Sequence, residues 1–578
     1  MKIISVEISN YRNLSGIEIN FNSDSNYIIG ENNLGKSNLL DILEIVLNGK
    51  KFDEDDYFNE QFNIEMVLKL KLEDYEKGYF GDNFSPDNSN EISLLYKQNI
   101  NDSFPTVTCL DTDETIPIKS IKKIHYIRYS STDSPMKELK ISSPNTAGKV
   151  FSGISKIYFQ DESNKSDFLN QETLAIFSDY VNDKLSCIKG FSQYGIKATV
   201  LQKQNDIISN LFYFSDEVRQ LETTGSGIQY IAMASLNVLS QIMTLFNKRT
   251  VNIKEHISYD KDGRKLLPII VALDEPEVHL HPYLQRSLIK YYKSILDNKD
   301  EEFIRLLKEC FDIDGLDGQL IIVTHSPDVL VDDYRNIIRF YRINEKTDVV
   351  SWDSSNVKFS SSVEKQLIMK FRDLREAFYA HCVILFEGET EYGCIPYFAE
   401  KLGISLDDNC ICAIHGHGES NIQYLRQLLD YFKIPSVAIY DGDVKGDRVS
   451  GVNQEYYTNE PCLEVEIVKS LFKNGKVELI KTISKEINSQ VETVMDSNYV
   501  KREFKKINRS LDGYNPKKLI EIDDSNEIDF CDFNSIWWMK TKGVLTGRLI
   551  GDLVPRDSIP KCYTDALYEA VEIANGNK

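Results

Sequence analysis

No run of about eighteen apolar residues occurs in this 578-residue chain, so no membrane-spanning helix is expected. The N-terminus, Met1-Lys2-Ile3-Ile4-Ser5-Val6-Glu7-Ile8, alternates like a strand and lacks the continuous apolar segment of a secretion signal. The ten cysteines show no disulfide framework, which fits free thiols in a reducing cytoplasm. Positive charge is in deficit: 67 Lys and Arg face 89 Asp and Glu, a formal net charge of −22. A simple nucleic-acid coat is therefore excluded, and any nucleic-acid contact must use a local basic surface.

What is present is a large apolar fraction, 42% of residues, enough for two to four domains at this length. One segment reverses the charge balance: residues 469–520 hold twelve Lys or Arg against six Asp or Glu. Within it Lys501, Lys505 and Arg509 recur every four residues, with Arg502 and Lys506 beside them. On a helix they form one basic stripe, either a solvated face or a phosphate-contacting surface.

Near the N-terminus a short strand, Asn26-Tyr27-Ile28-Ile29, leads into Gly30-Glu31-Asn32-Asn33-Leu34-Gly35-Lys36-Ser37 and a helix from Asn38 to Leu47. This is a GxxxxGK[ST] phosphate loop in strand–loop–helix context. Its backbone N–H groups and helix N-terminus suit phosphates; Lys36 is placed for the β/γ-phosphates and Ser37 for Mg²⁺, with Gly30, Asn33 and Gly35 shaping the loop. Downstream, the apolar strand Leu267 to Leu273 ends in Asp274-Glu275. Asp274 suits a Mg²⁺ contact and Glu275 the polarisation of an attacking water. A second apolar strand, Gln319 to Thr324, ends at His325, in the position of a γ-phosphate sensor. Residues 147–222 do not fit this core and read as an inserted helical arm, including a helix from Ser166 to Lys189; pairing of two chains is one use for it.

Two further apolar runs end in acids. Cys382 to Phe386 precedes Glu387-Gly388-Glu389-Thr390-Glu391, and Ser436 to Tyr440 precedes Asp441-Gly442-Asp443. The intervening pattern alternates strand and helix: a helix over Thr390–Leu402, a strand over Asn409–Ile414, the turn His415-Gly416-His417-Gly418, and a helix over Ser420–Phe432. Successive parallel strands bring their C-terminal ends to one sheet edge. Carboxylates gathered there repel unless cations hold them, and Mg²⁺ takes such oxygen ligands. Cys410, Cys412, His415 and His417 mimic zinc spacing, but the cysteines alternate on one strand face and the histidines sit in the turn, so a converged tetrahedral site is not expected.

Asn10-Tyr11-Arg12-Asn13-Leu14, the phosphate loop, Leu273-Asp274-Glu275-Pro276-Glu277-Val278-His279-Leu280-His281-Pro282 and Thr324-His325-Ser326-Pro327 resemble the ABC-type ATPases related to SMC and RecF proteins. The resemblance implies that a signature motif from one subunit caps ATP bound by another. Its best match is Thr224-Gly225-Ser226-Gly227-Ile228-Gln229, with Ser226 and Gly227 as the γ-phosphate contacts, opening an apolar helix from Tyr230 to Leu245. Gln61 is the candidate for the Q-loop glutamine. His279 and His281 fall inside the family's own sequence run and are not read as a metal pair.

Residues 380–472 resemble a Toprim domain. Glu387 and Glu391 match its ExxxE run, Gly416 and Gly418 its glycine turn, and Asp441 and Asp443 its DxD. An ABC-type ATPase followed by a Toprim domain resembles the OLD family, which includes the nuclease of the Gabija anti-phage system and effectors of some retrons. The family implies Glu464 and Glu466 as further metal ligands, and a C-terminal catalytic lysine, for which Lys542 is the first choice and Lys540 the second.

The expected fold is therefore α/β: an ABC-type ATPase domain over 1–345 with a helical insertion, a linker helix within 346–379, and a Rossmann-like Toprim domain over 380–578 with a basic C-terminal extension. The resemblance implies an ATP-regulated DNA endonuclease using Mg²⁺ or Mn²⁺, with Glu387, Asp441, Lys542 and Glu275 as catalytic groups. Nucleotide at Lys36 and Ser37 is expected to control access of DNA, in either direction. The implied partners are double-stranded DNA, a second copy or a higher homo-oligomer, and a companion defence protein or retron nucleic acid, with no membrane. A topoisomerase-like strand passer and an ATP-driven DNA-binding or repair protein with an inactive Toprim domain are the rivals.

Overall fold

The computed structural model describes residues 1–81, 83, 90–141, 145–158, 171–200, 212–216, 219–247, 256–342, 349–447, 454–488, 502, 504–505 and 524–576. The chain divides into two units, Met1–Asn356 and Val357–Lys578. The helix Ser361–Leu374, expected as a linker, belongs to the second. Of the basic stripe, Lys501, Lys506 and Arg509 lie outside the described residues.

Unit 1 contains two large sheets. β1 (Lys2–Ser9), β2 (Ile17–Asn20), β4 (Ile64–Lys71), β5 (Glu91–Gln98) and β6 (Thr106–Cys109) form an antiparallel sheet in the order β2-β1-β4-β5-β6. Strands β4 and β5 bury every second residue, as one-sided antiparallel strands do. The second sheet is built on β3 (Ser25–Ile29), β7 (His125–Ser130), β11 (Lys265–Asp274), β12 (Gly315–Val323) and β13 (Ile337–Arg342), all parallel. β10 (Ser258–Tyr259) and β14 (Val349–Asp353) add antiparallel edges. Eight consecutive residues of β11 are buried, as a parallel strand covered on both faces requires.

That sheet places the nucleotide motifs. The order β11-β12-β3 brings the ends of three strands side by side, so Asp274, His325 and the phosphate loop meet at one edge. Gly35 takes φ 83° as the N-cap of α1 (Lys36–Leu47), a left-handed turn that glycine adopts without strain.

The inserted arm is mixed rather than purely helical. α2 (Thr146–Tyr158), α3 (Gln171–Ser186) and α4 (Lys189–Tyr194) are followed by a two-stranded antiparallel sheet, β8 (Lys197–Val200) with β9 (Phe212–Ser215). Phe151, Phe177 and Phe212 pack together, with centroids 4.8–5.7 Å apart, and give the arm its own aromatic core. α5 (Ser226–Asn247) follows. Among the described residues its Ser226–Phe246 stretch is the one helix long and apolar enough to cross a membrane; 72% of that window is buried inside the protein.

Unit 2 holds a four-stranded parallel sheet, β15 (Cys382–Phe386), β16 (Ile411–His415), β17 (Ser436–Tyr440) and β18 (Glu455–Tyr457), in the order β16-β15-β17-β18. β15 and β17 are wholly buried. Around the sheet run α6 (Ser361–Leu374), α7 (Glu389–Leu402), α8 (Glu419–Tyr431), α9 (Leu463–Lys473), α10 (Glu527–Lys540), α11 (Val544–Leu553) and α12 (Lys561–Gly576). Trp538, Phe398, Tyr563, Ile467 and Ile550 join one core, so residues from the C-terminal third complete this domain. Glycines let α7 and α11 pack closely: a Cβ on Gly547 would overlap the Thr390 carbonyl and lie 2.9 Å from Gly393 Cα.

Candidate nucleotide and carboxylate sites

In unit 1 the Ser37 hydroxyl donates to Asp274 Oδ1 at 2.9 Å, joining the phosphate loop to the end of β11. The Lys36 ammonium donates to the Gly30 carbonyl at 2.9 Å and to that of Glu31. Lys36 is only 5% exposed, and burial lowers its pKa to about 8 against the pull of Glu275, Glu31, Asp274 and Glu277. A buried ammonium that finds only loop carbonyls fits an anionic ligand, because phosphate oxygens are stronger acceptors. His325 Nε2 lies 3.7 Å from Glu275 Oε1, and the backbone N–H of His325 donates to Glu277 Oε1 at 2.6 Å. Burial, reinforced by Lys36, lowers the His325 pKa, favouring a neutral ring beside a phosphate. Asn33 carries φ 62°, and its carbonyl accepts from Arg342 at 3.2 Å.

Two residues of this site carry no sequence signal. Arg128, on β7, donates to Asp274 Oδ2 at 2.6 Å and to Asp41 on α1. Burial opposes its charge, but these two bonds outweigh it and raise its pKa. Asp41 also accepts from Arg12 at 2.5 Å, and Arg12 pairs with Asp56 at 2.9 Å.

Ser226 and Gly227 open α5, where the nearest neighbours of a Cβ on Gly227 are Leu284 and the His279 carbonyl at 3.7 Å. Gln61 sits on an exposed turn, its N–H bonded to Asn59 Oδ1. His281 caps the helix Pro282–Leu296, accepting from the Tyr283 N–H, and His279 stacks on Tyr230 at 4.7 Å.

In unit 2, β15 and β17 are neighbours, so Glu387 and Asp441 emerge side by side. The Asp441 N–H donates to Glu387 Oε1 at 3.0 Å. The Gly442 N–H donates to Thr458 Oγ1 at 2.7 Å. A Cβ on Gly442 would stand 2.6 Å from the Thr458 carbonyl, so no side chain fits between the two aspartates. Thr458, after β18, was not anticipated from the sequence.

Glu391 lies in the first turn of α7 and is 3% exposed. Burial, then Glu464, raises its pKa to about 7. Burial and Glu391 raise Asp441 well above the carboxylate range, and burial likewise raises Glu387, with Asp443 adding to it. Glu464 is fully buried, and neither of its oxygens receives a hydrogen bond. The Lys542 ammonium stands 3.2 Å from Glu464 Oε2. Burial opposes its charge, but Glu464, Cys462, Asp441 and Glu391 outweigh that and raise its pKa. Lys540 instead lies over the Trp537 ring at 5.7 Å.

Glu466, also expected as a ligand, is bonded to a neighbouring loop. Its oxygens accept from the Asn459 N–H at 2.6 Å and the Asn459 side chain at 3.1 Å. Two residues along α9 is about 200° of rotation, so Glu466 turns to that loop while Glu464 turns to the acids.

The carboxylates fit hard divalent cations: Glu464 offers buried oxygens without donors, and Glu387, Glu391 and Asp441 repel one another's charge. Among the described residues no three Asp, Glu, His or Cys side chains stand in a ready-made ligand set.

An AAA ATPase domain model matches residues 1–145 and 119–330, and an overcoming lysogenization defect protein-like Toprim domain model matches residues 378–443. Fold and sites thus define an ATPase joined to a Toprim-type nuclease domain. The AAA ATPase domain model covers more than half of the chain, which belongs to that family, and the two matches in one chain support an OLD-family ATPase–Toprim nuclease. It is 21% identical to Endonuclease GajA of Bacillus cereus over 532 residues, 77% of this chain and 75% of that protein. Among solved structures, an SMC head bound to the C-terminal winged-helix domain of ScpA covers 62% of this chain and all of its own (15% identity, TM-score 0.38). The C-terminal region of the Burkholderia pseudomallei OLD protein covers 34% of this chain and 99% of its own (19% identity, TM-score 0.22).

Proposed function

We propose that this protein is an ATP-regulated, divalent-metal-dependent DNA endonuclease acting in defence against phage. The observation that carries the nuclease chemistry is the group Glu387, Glu391, Asp441 and Glu464 with the Lys542 ammonium beside it. Glu387, Glu391, Asp441 and Glu464 would hold the ions, and Asp443 is within reach of Glu387. Bound divalent ions would supply an activated water and charge stabilisation at the departing oxygen. Lys542 supplies a fixed positive charge where the transition state gains negative charge. The bond from the Asp441 backbone N–H to the Glu387 carboxylate keeps those two acids in register.

In the ATPase unit, Lys36 and Ser37 bind the phosphates, Asp274 orients the Ser37 hydroxyl, and Glu275 with His325 faces the γ-phosphate position. Control of cleavage by nucleotide rests on one chain carrying both sites. Endonuclease action on DNA is supported by the similarity to GajA, and the defence role by the OLD-family resemblance. Function as a homodimer or larger assembly, through the arm and the Ser226–Gly227 motif, belongs to the same reading, as does a cytoplasmic location, with which ten free cysteines are consistent.

The test is incubation of supercoiled plasmid with protein and Mg²⁺ or Mn²⁺, with and without ATP, comparing wild type with Asp441→Ala and Lys36→Ala. Nicked or linear product from wild type, absent with Asp441→Ala, is the expected result. Intact plasmid under every condition, or equal cutting by Asp441→Ala, overturns the reading. Plaque counts on cells expressing wild type or Asp441→Ala, alongside any neighbouring genes, test the defence role.

A further inference from the structure

At the end of β16, His415 and His417 stand with ring centroids 4.0 Å apart and planes at 71°. Neither belongs to the carboxylate group, yet the turn that holds them is tied to it. The Gly416 N–H donates to the Phe386 carbonyl at 2.8 Å, and the Gly418 N–H to the Glu387 carbonyl at 3.1 Å. In the sheet His415 lies opposite Phe386. β16 and β17 flank β15 on opposite sides, so the histidines occupy the side of Glu387 away from Asp441.

Two further groups converge there. The Lys370 ammonium, from α6, donates to the Gly416 carbonyl at 3.2 Å. Tyr392, next to Glu391 on α7, has its ring 5.5 Å from His415. His415 Nδ1 is buried without a hydrogen-bond partner. His417 is exposed and takes φ 54°, a left-handed conformation that a side-chain-bearing residue keeps only where the surroundings impose it. The charged groups facing His415 are His417, Glu389 on α7, and Asp373 and Lys370 on α6; Glu419, at the start of α8, faces Glu387.

A core role does not account for an exposed His417, and among the described residues no group of three metal-ligating side chains forms around the pair. What the cluster offers is N–H donors and an ammonium at the rim of an acidic centre. A polyanionic strand approaching those acids is repelled unless donors at the rim hold its phosphates, and phosphate contacts are what set a protein's register on nucleic acid.

We propose that His417, His415 and Lys370 grip the phosphodiester backbone of the nucleic-acid strand beside the scissile phosphate. This deepens the nuclease reading and rests on it. The test is fluorescence anisotropy of a short labelled DNA duplex in EDTA across a salt series, followed by cleavage kinetics with metal. His417→Asn keeps a residue that tolerates the left-handed backbone and is expected to weaken binding about 3- to 10-fold, raising KM while kcat stays within about twofold. Lys370→Met is expected to lower the salt slope by about one. Unchanged affinity in both variants, or a loss confined to kcat, overturns the proposal. Should His417→Asn melt early, Lys370→Met decides by the same readouts. If wild type itself neither binds nor cuts DNA, the nuclease reading has failed, and this site with it.

Discussion

The ammonium of Lys542 reaches from an exposed turn to within 3.2 Å of Glu464, a carboxylate with no exposed surface and no hydrogen-bond donor. The two lie on separate elements 78 positions apart, and their meeting sets a positive charge at one side of the acidic group. Lys542→Ala is expected to cut plasmid cleavage by about 100-fold or more, the loss seen when one preorganised donor to a developing charge is removed. Duplex binding in EDTA should stay within about threefold. Comparable loss of binding and cleavage would place Lys542 in substrate capture instead.

Glu464 and Glu466 are expected to separate cleanly. Glu464→Gln should reduce cleavage about 100-fold or more and weaken Mn²⁺ binding, followed by calorimetry, because ligands matter at least as much as their supporting partners. Glu466→Gln, whose partners are Asn459 and Glu460, should keep cleavage within about fivefold. Its cost should appear as a lower melting temperature, since a buried carboxylate loses bonds from that loop.

The pH response of the metal-free protein follows from Glu391. Its folded pKa is raised to about 7 from an ordinary 4.5. Between those values the folded state holds a proton that the unfolded state has lost, so stability falls as pH rises through that window. Melting of the wild type in EDTA should drop from pH about 5 to about 8, and Glu391→Gln should remove most of Glu391's share of that drop. Mg²⁺ should flatten the wild-type curve and bind more tightly at higher pH, where the acids are free of protons.

Gly547→Ala tests the seam between α7 and α11. The added Cβ would overlap the Thr390 carbonyl and lie 2.9 Å from Gly393 Cα, and both are backbone. Overpacking of this kind costs about 1–3 kcal/mol, measurable by urea unfolding of the Toprim unit's transition. Because α7 carries Glu391 and α11 follows Lys542, cleavage should fall as well, while ATP binding stays unchanged.

Arg128→Gln should loosen Asp274, which now has Arg128 on one oxygen at 2.6 Å and Ser37 on the other at 2.9 Å. The expected result is Mg²⁺-dependent binding of a fluorescent ATP analogue weakened about tenfold, in the range found for residues that orient a metal ligand. Binding without Mg²⁺ should change less. Equal weakening with and without Mg²⁺ would show that Arg128 acts on the loop as a whole.

The parts readable in the sequence were those set by local spacing. The phosphate loop, the acid-ended strands of the ATPase and the Toprim strands over Cys382–Phe386 and Ser436–Tyr440 appear where the residue pattern puts them, because strand ends and helix starts are decided within about ten residues. The inserted arm has helices as its composition suggests, and it also closes with the β8–β9 pair, whose short segments show no strand period strong enough to count. Arg128 gave no signal, since one arginine in a buried strand acquires its role only from Asp41 and Asp274, which lie 87 and 146 positions away.

The sequence by itself determined that this chain carries a phosphate loop with its acidic strand end, and a second set of acid-ended parallel strands, because both patterns are local. Only the tertiary structure decided which acids meet. It turned Glu464 inward and Glu466 to a loop, brought Lys542 rather than Lys540 to the group, and set His415 and His417 beside Glu387. Those outcomes depend on helix rotation and sheet order, which are fixed by packing between distant segments rather than by the residues nearby.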